Sequence, residues 1–369
     1  MAEPLLSFGF LVNKYFHEAA YFKNISKAAK KLNMKCIMFR PLDVQFANGT
    51  LTGFTFNLTS NKWERSTFQL PHYIYDRCFY GKDAASIQNK KAVQKLKTQQ
   101  NVSFLGYGFP DKWKQYKTLK TDPFIYQYLP ETEYFQHPDQ VYTFLQSYEE
   151  CILKPIHGSS GKGVLVIKKE KETLFLYFFI RANQRIVRLK HFNQLKPFLA
   201  KRQVDSYILQ RLLPLKDKQQ RPFDLRILFQ KNEFGQWIMQ GKGIRIGQKH
   251  TYVSNLSKGG SVVSLEQWEK DIPRQRLNHI YNQIEQLAHH LPQKIEKNFA
   301  PLFELGVDIG IDLQNETIWI LDINSKPGRN VVLKTDPARK TVLYEAPVRY
   351  ARYLQHSLQT GVEINDLSN

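Results

Sequence analysis

The strongest constraint on the fold is a glycine-rich segment, residues 151–168, which reads CILKPIHGSSGKGVLVIK. Apolar and β-branched residues lie on both sides of its glycines, so the pattern predicts a strand, a turn and a second strand. The turn contains Gly158, Ser159, Ser160, Gly161 and Gly163. Its glycines give the backbone the freedom to point N–H groups at phosphate oxygens. The segment therefore predicts a β-hairpin flap, with Lys154 on its first strand.

Two common phosphate-binding loops do not fit this segment. A Walker A loop has four residues between its first glycine and a Gly-Lys pair that Ser or Thr follows, and GSSGKGV has neither feature. A dinucleotide-binding turn opens a helix, whereas residues 164–167 are strand-like. An ordinary glycine-rich hairpin is the alternative, and for a loop of this kind taken alone that alternative is favoured.

A second constraint lies near the C-terminus, where residues 307–313 and 317–323 predict two strands joined by a short turn. Asp322 and Asn324 alternate with apolar residues, so their side chains share one face of the second strand. Together with Asp308 they form an oxygen-rich set that suits Mg²⁺ bound to nucleotide phosphates. Solvated residues at a strand end are the alternative, but an unpaired carboxylate is costly in a strand that is otherwise apolar.

A further pair of strands lies between these segments. The sequence PFDLRILF at 222–229 places Asp224 and Arg226 on one face of a strand, and GIRIG carries Arg245 on the next. The turn that follows contains Asn255. Taken alone, Asp224 and Arg226 are more often a structural ion pair, and a Ser-Asn sequence is more often a plain turn.

The domain organisation follows from breaks in the pattern. Apolar runs at 5–12 and 36–39 flank a helical stretch at 21–32, which is typical of a small α/β unit that ends in the glycine cluster at 106–110. The clearest helix spans 274–291, between two prolines. The predicted units are an N-terminal α/β unit at 1–108, a central unit with the flap at 109–205, and a C-terminal unit with the acidic strands at 206–369.

The composition narrows the class of partner. The 369 residues include 53 Lys and Arg against 33 Asp and Glu, a formal net charge of +20, which favours a polyanionic partner. A hydrophobic share of 42% excludes a disordered basic tail. The three cysteines are too scattered for a disulfide framework or a thiolate metal site. No signal sequence or run of ~18–20 apolar residues is present, so we expect a soluble chain, cytoplasmic at synthesis and without a membrane span.

Taken in order, the motifs from about residue 111 to residue 329 resemble the ATP-grasp superfamily. They look most like the bacterial YheC/YheD-type proteins, described as endospore coat-associated, and more distantly like the RimK-type glutamate ligases. The resemblance implies an ATP-grasp fold with an N-terminal α/β pre-grasp domain, the cofactors ATP and Mg²⁺, and ligation through an acylphosphate. The implied partners are an acidic small molecule, peptide or polymer as acceptor, and spore-coat components.

The resemblance also implies roles for individual residues. For ATP binding it implies Lys112, Lys154, the flap residues Gly158, Ser159, Ser160, Gly161 and Gly163, the hinge residues Gln210, Arg211 and Leu213, and Asp224. For catalysis it implies Arg226, Arg245, Asn255 and Arg329, the last of them facing the acceptor carboxylate. As magnesium ligands it implies Asp308, Asp322 and Asn324.

Three alternatives to a ligase remain open at this point, and the first is kinase-type phosphoryl transfer to a hydroxyl on the same scaffold. Arg211 and Asp322 stand where the superfamily usually has Glu, which favours a coat protein that keeps the fold but has lost turnover. Nucleic-acid binding is suggested by the basic aromatic run KWKQYK at 112–117. A charge run is usually a solvated face, however, and no helix-turn-helix, RRM or zinc signature is present, so no specific nucleic-acid partner is expected.

Overall fold

The computed structural model of the chain describes residues 6–81, 83–158, 161–180, 183–203, 206–252, 254, 256, 259–270 and 272–360. These residues form three β-sheets flanked by helices, which confirms the predicted α/β class. The predicted site residues Ser159, Ser160 and Asn255 lie outside the described residues. No helix within the described ranges is both long and apolar enough to cross a membrane.

The first sheet contains the strands β1 (Leu6–Leu11), β2 (Met34–Phe39), β3 (Val44–Gln45), β4 (Thr50–Asn57), β5 (Lys62–Gln69), β6 (Tyr73–Asp76) and β7 (Ser103–Phe104). Its order is β3-β4-β2-β1-β6-β7, and β5 pairs with β4. Strands β2, β1, β6 and β7 are parallel, so helices α1 (Ala19–Lys31) and α2 (Ala84–Lys97) make the crossovers. The chain leaves β1 and β6 in opposite directions across the sheet, which makes their carboxyl ends a topological switch point.

The second sheet contains β8 (Thr132–Phe135), β9 (Glu150–Pro155), β10 (Leu165–Glu170), β11 (Thr173–Ile180), β12 (Asn183–Leu189) and β13 (Tyr207–Arg211). All neighbours in the order β12-β11-β10-β9-β13-β8 are antiparallel. Helices α3 (Lys112–Leu119) and α4 (Pro123–Tyr126) precede it, and α5 (Pro138–Tyr148) and α6 (Lys196–Gln203) belong to the same stretch of chain. The predicted strand, turn and strand around the glycines are β9, the flap and β10. Strand β13 begins after residue 205 but pairs with β8 and β9, so this sheet crosses the predicted unit boundary.

The third sheet contains β14 (Phe223–Lys231), β15 (Trp237–Ile246), β16 (Ser261–Val263), β17 (Glu304–Asp312) and β18 (Thr317–Asn324), in the antiparallel order β16-β15-β14-β17-β18. Helices α7 (Leu265–Glu269) and α8 (Arg274–Asn298) lie between β16 and β17, and α9 (Asn330–Thr335) and α10 (Lys340–Thr360) follow β18. The apolar side of α8 packs on one face of the sheet, while α9 and α10 pack on the other.

Two helices show features that the sequence pattern did not predict. Helix α8 does not end at Pro292 but continues to Asn298. Leu291 and Ile295 extend its apolar stripe into the core, and this burial outweighs the one hydrogen bond that the proline removes. Helix α10 packs on α1 and buries Tyr350 in the core of the first sheet, so the C-terminal residues return to the N-terminal unit.

Candidate functional site

Three neighbouring strands of the third sheet carry a row of charged side chains. Arg226 on β14 stands opposite Asp308 on β17, and Asp308 stands opposite Asp322 on β18. Arg226 donates to Asp308 through both Nε and Nη2, the second at 3.0 Å. Residues opposite one another in an antiparallel sheet project from the same face. The row therefore presents one arginine and two carboxylates to one side of the sheet.

A second pair of charges lies beside this row. Arg245 on β15 donates to Asp224 on β14 at 2.6 and 2.7 Å, and its Nη2 lies 2.8 Å from Asp308. The Ser254 hydroxyl also donates to Asp224. Asp224 and Arg226 do not pair with each other along the strand, as the plain ion-pair interpretation required; each instead pairs across the sheet. Asp224, Arg245 and Asp308 are all buried.

Two lysines from the central part of the chain complete the cluster. Lys112 is the first residue of α3, because the Asp111 side chain caps that helix by accepting the Lys114 N–H at 2.9 Å. The Lys112 ammonium forms an ion pair with Asp322. Lys154 projects from β9 and donates to the Gln210 side-chain oxygen at 2.6 Å.

Burial and the neighbouring charges act together on the pKa values of Lys154, Asp308 and Arg245. Burial, and after it the neighbouring charge of Lys112, lowers the pKa of Lys154 to about 8, although Asp322 and Asp308 act in the opposite direction. Burial alone would raise the pKa of Asp308, but Arg226 and Arg245 outweigh it and hold that pKa below its usual range. Against its own burial, the carboxylates of Asp308 and Asp224 raise the pKa of Arg245.

A small cavity opens beside the cluster, between α3, β13 and β18. Its apolar wall includes Tyr116, Leu119, Ile208, Ile320 and Ile323. Lys112, Asp322 and Gln210 supply polar groups on its lining, and Thr132 accepts a hydrogen bond from Gln210 at 2.8 Å. Tyr116 and Thr132 were not among the predicted site residues, and only the amphipathic pattern of α3 could have indicated the first. The cavity offers a mostly apolar slot with the Lys112–Asp322 ion pair on its polar side.

The oxygen atoms on this face of the sheet fit a magnesium ion. Asn324 and Asp322 are two residues apart on β18, and the Asn324 amide donates to Asp322 at 3.1 Å. A carboxylate has about four lone-pair positions, so Asp322, which takes donors from Lys112 and Asn324, keeps room for a metal. Asp308 takes three donors from two arginines. Within the described part of the chain, no group of three or more His, Cys, Asp or Glu side chains is suited to hold a metal. The set proposed here has two carboxylates, Asp308 and Asp322, and its third oxygen comes from the Asn324 amide.

The flap connects β9 and β10, and Lys154 is the last residue but one of β9. Its described glycines have positive φ angles, which are 139° at Gly158, 67° at Gly161 and 74° at Gly163. These backbone conformations favour glycine and explain why the turn contains so many of them. The Tyr207 hydroxyl donates to the Gly163 carbonyl at 3.1 Å and attaches one end of the flap to β13.

Three predicted site residues do not join the cluster through their side chains. The Arg211 guanidinium lies over the Tyr148 ring at 5.1 Å, on the helix α5 side of β13. Leu213 follows β13, and its carbonyl accepts the N–H of Leu215 at 2.8 Å. Arg329 pairs with Glu18 and lies over the Tyr21 ring at 3.5 Å.

Arg329 belongs to a second, buried charge cluster that the sequence did not indicate. Glu18 accepts from both Arg77 and Arg329, and Arg77 also donates to Glu304 at 2.7 Å. Burial would raise the pKa of Glu18, but Arg77 and Arg329 lower it to about 2. The cluster joins the carboxyl ends of β1 and β6 to the third sheet. Its members come from four distant parts of the chain, and no local motif marks them.

The three-sheet architecture is an ATP-grasp fold. The D-alanine-D-alanine ligase of Coxiella burnetii has a TM-score of 0.54 to this chain at 12% identity, over 96% of this chain and 98% of that one. An ATP-grasp ligase of Chryseobacterium gregarium, associated with a RiPP and in complex with ADP and a leader and core peptide, has a TM-score of 0.52 at 10% identity, over 97% and 98%.

Sequence comparison narrows this class to one family. A model of the YheC/D-like ATP-grasp family matches residues 101–354. The endospore coat-associated protein YheC of Bacillus subtilis (strain 168) is 34% identical over 359 residues, which is 97% of this chain and 99% of that protein. The chain belongs to the YheC/D-like ATP-grasp family, and the resemblance inferred from its motifs is confirmed.

Proposed function

We propose that this protein is an ATP- and magnesium-dependent carboxylate–amine (or thiol) ligase that forms ADP and phosphate. The observation that carries the proposal is the meeting of four cationic side chains, Lys112, Lys154, Arg226 and Arg245, in one cleft beside an apolar slot. Three carboxylates, Asp224, Asp308 and Asp322, face them, and the two charges of a bound magnesium ion would bring the formal charge of the cleft, four cations against three carboxylates, to +3. Nucleotide phosphates match that charge, and an adenine ring matches the slot.

In this proposal the nucleotide lies between the second and third sheets. Its base enters the slot lined by Ile208, Gln210 and Ile320, where the Gln210 amide is a hydrogen-bonding candidate. The family resemblance adds the backbone groups of Arg211 and Leu213 as further candidates. Arg211 contributes only through its backbone, because its guanidinium lies over the Tyr148 ring. Lys154 and the flap glycines bind the phosphates, together with Ser159 and Ser160. Asp224 acts indirectly, by holding Arg245 in place.

Magnesium would be held by Asp322 and Asn324, with Asp308 beside them. When bound, the ion would neutralise part of the phosphate charge and hold the phosphates in a fixed geometry. Lys112 need not leave Asp322 in this arrangement, because its ammonium has three donors and can also bind a phosphate oxygen. Asp308 remains ion-paired with Arg226 and Arg245, so its main contribution is to orient these two arginines toward the cleft.

The chemistry would depend on positioning and charge rather than on a covalent protein group. The acceptor carboxylate attacks the γ-phosphate, ADP leaves, and an amine or thiol then displaces phosphate from the acylphosphate. Arg226 and Arg245 stabilise the negative charge on the transferred phosphoryl group, and the family resemblance implies a contribution of Asn255 to the same step. No serine or cysteine nucleophile is needed for either step.

An acceptor screen tests the ligase function. The protein with Mg-ATP is incubated with pools of amino acids, peptides, and cell-wall or polyglutamate fragments, and released phosphate is measured. We expect release that depends on one acceptor pool and that Arg245→Met abolishes, because that change leaves the phosphoryl charge uncompensated. Release that is independent of every acceptor, or unchanged in the variant, contradicts the proposal.

A second candidate is a coat protein that binds nucleotide or an anionic polymer without turnover. The observation that favours it is the engagement of every predicted carboxylate ligand by a protein cation. A protein that Mg-ATP stabilises, but that releases no phosphate with any pool, is the result this candidate predicts.

Association with the spore coat or envelope is proposed from the printed name of the B. subtilis relative. The acceptor would be an acidic small molecule, peptide or polymer. Localisation of a fluorescent fusion during sporulation tests the association, and an even distribution in the mother cell throughout sporulation contradicts it.

A further inference from the structure

A chain of hydrogen bonds across the second sheet connects the cleft to the edge strand β8. Thr132 on β8 stands opposite Gln210 on β13, and the Gln210 side chain shares a face of the sheet with Lys154 on β9. The Gln210 amide nitrogen donates to the Thr132 hydroxyl at 2.8 Å, and the Lys154 ammonium donates to the amide oxygen at 2.6 Å. Three neighbouring strands thus share one polar chain that ends on a cation of the cleft.

The neighbours of the Gln210 amide determine which way it points. The Lys154 ammonium has only donors, so the amide atom that faces it must be the oxygen. The Thr132 hydroxyl donates its one proton to the Pro130 carbonyl at 2.7 Å, so toward Gln210 it can only accept. The amide atom that faces Thr132 must therefore be the nitrogen. Both neighbours require the same orientation of the amide.

Thr132 is also held from a second side. Burial raises the pKa of the Tyr116 hydroxyl on α3, and a hydrogen bond from the Thr132 backbone opposes that rise. Thr132 and Gln210 are each only 6% exposed. Without the Thr132 hydroxyl, the Gln210 amide would therefore keep a buried N–H group without a partner, which is unfavourable.

The orientation of the amide matters because Gln210 holds Lys154 without neutralising it. An amide oxygen accepts the ammonium but carries no formal charge, so the positive charge remains available to an anionic ligand. An amide turned the other way would point an N–H group at the ammonium, and the two donors would repel each other. The Thr132 hydroxyl prevents this turn, because it has no proton left to give to the amide oxygen.

We propose that Thr132 is a positioning residue of the nucleotide site: its hydroxyl fixes the Gln210 amide, and the amide directs the Lys154 ammonium toward the ATP phosphates. The inference rests on the proposed function where it names ATP as the ligand. Thr132 lies outside the motifs that carry the family resemblance, so no motif gave it a role.

Isothermal titration calorimetry with Mg-ATP tests the role of the hydroxyl. Thr132→Val keeps a β-branched side chain but removes the hydroxyl, and we expect it to bind Mg-ATP about tenfold more weakly than the wild type. Thr132→Ala removes the same hydroxyl and should show a similar loss. Thr132→Ser keeps the hydroxyl and should bind within about twofold of the wild type. Wild-type affinity in Thr132→Val, or an equal loss in Thr132→Ser, overturns the proposal.

A double-mutant cycle with Lys154→Met separates positioning from a general structural role. If Thr132 acts through Lys154, Thr132→Val should weaken binding no further in the Lys154→Met background. A second loss of about tenfold in that background would mean that Thr132 acts by another route, and it also overturns the proposal.

Thr335→Val is the matched control, because the Thr335 hydroxyl donates to the Val331 carbonyl within α9, on the other face of the third sheet. It should bind Mg-ATP like the wild type, and a loss equal to that of Thr132→Val overturns the assignment to Thr132. The wild type separates the two proposals. If it does not bind Mg-ATP, the nucleotide site is refuted and the positioning role with it. If it binds Mg-ATP and Thr132→Val binds equally well, only the positioning role is refuted.

Discussion

Neighbouring groups in the cleft have opposing effects on the pKa of Lys154. Burial and Lys112 lower its pKa from the usual 10.5 to about 8, while Asp322 and Asp308 favour its charged form. The unfolded chain therefore holds more protons than the folded chain between these two values, so stability should rise with pH across that window. The importance of Lys154 could be predicted from its place before the glycines. Its pKa could not, because Lys112 and Asp322 are distant in sequence.

The shifted pKa of Lys154 predicts a pH dependence of nucleotide binding. Phosphate oxygens stabilise the ammonium, so ATP should raise the pKa of Lys154, and affinity should fall as pH rises above about 8. The fall approaches about tenfold per pH unit until the pKa of the bound state is reached. Isothermal titration calorimetry with Mg-ATP at several pH values measures it.

Lys154→Arg provides the control for this prediction, because its guanidinium stays charged throughout the range. Its affinity should not change between pH 8 and 10. A wild-type profile as flat as that of the arginine variant would show that Lys154 does not contact the phosphates.

At the scale of elements, hydrophobic pattern identified those strands and helices that bury a clear apolar face. It predicted β9, β10, β14, β17 and β18 because their runs are apolar and bounded by turn residues. It missed the hairpin of β4 and β5, since β5 is an edge strand with few buried side chains. It missed α2 as well, where lysines outnumber the buried apolar positions. Exposed elements leave little periodic signal, because burial is what produces it.

The conformation of the flap predicts that one methyl group added at Gly163 weakens Mg-ATP binding. Gly163 has a φ of 74°, and a Cβ atom there would lie 2.9 Å from Pro155 Cγ and 3.0 Å from the Tyr207 hydroxyl. Gly163→Ala should therefore distort the flap and weaken Mg-ATP binding about fivefold, which corresponds to about 1 kcal/mol. Calorimetry on both proteins measures the difference.

Gly49→Ala separates this local effect from general strain. Gly49 also has a positive φ, 67°, but a Cβ there would meet no atom within 4 Å, and it lies in the turn before β4. We expect it to lower the melting temperature without altering the affinity for Mg-ATP. If Gly163→Ala binds Mg-ATP like the wild type, the flap does not cover the phosphates.

At the scale of the whole molecule, the first sheet is joined to the third by buried charges. Arg77 links to Glu304, and Lys326 lies 2.8 Å from Asp76. These pairs span more than two hundred residues, so no local pattern could predict them. The same holds for the cleft: the sequence supplied its residues, but not that Asp308 would be shared by two arginines. The few cations of the cleft account for only part of the positive charge behind the net +20.

Breaking the link between the first and third sheets should lower the stability of the protein. Arg77→Met leaves Glu304, which is only 2% exposed, as a buried carboxylate without a cation, and should lower the free energy of unfolding by about 3–5 kcal/mol. Urea unfolding measures this loss. Adding Glu304→Gln to the variant should recover part of it, because the buried charge is then removed.

A surface pair provides the comparison. Arg349 is exposed and pairs with Glu345 and Glu233, so Arg349→Met should cost no more than about 1 kcal/mol. Equal losses in the Arg77 and Arg349 variants would mean that the buried cluster does not hold the two sheets together.

The central claim is that Mg-ATP binds in the cleft between the second and third sheets. The direct test is the melting temperature with increasing Mg-ATP, because a ligand that binds only the folded state stabilises it by RT ln(1 + [L]/Kd). We predict a rise that depends on concentration, that persists in Asp336→Ala at an exposed acidic site, and that is lost in Asp322→Ala with Asn324→Ala. A wild-type melting curve that does not move across millimolar Mg-ATP contradicts the claim.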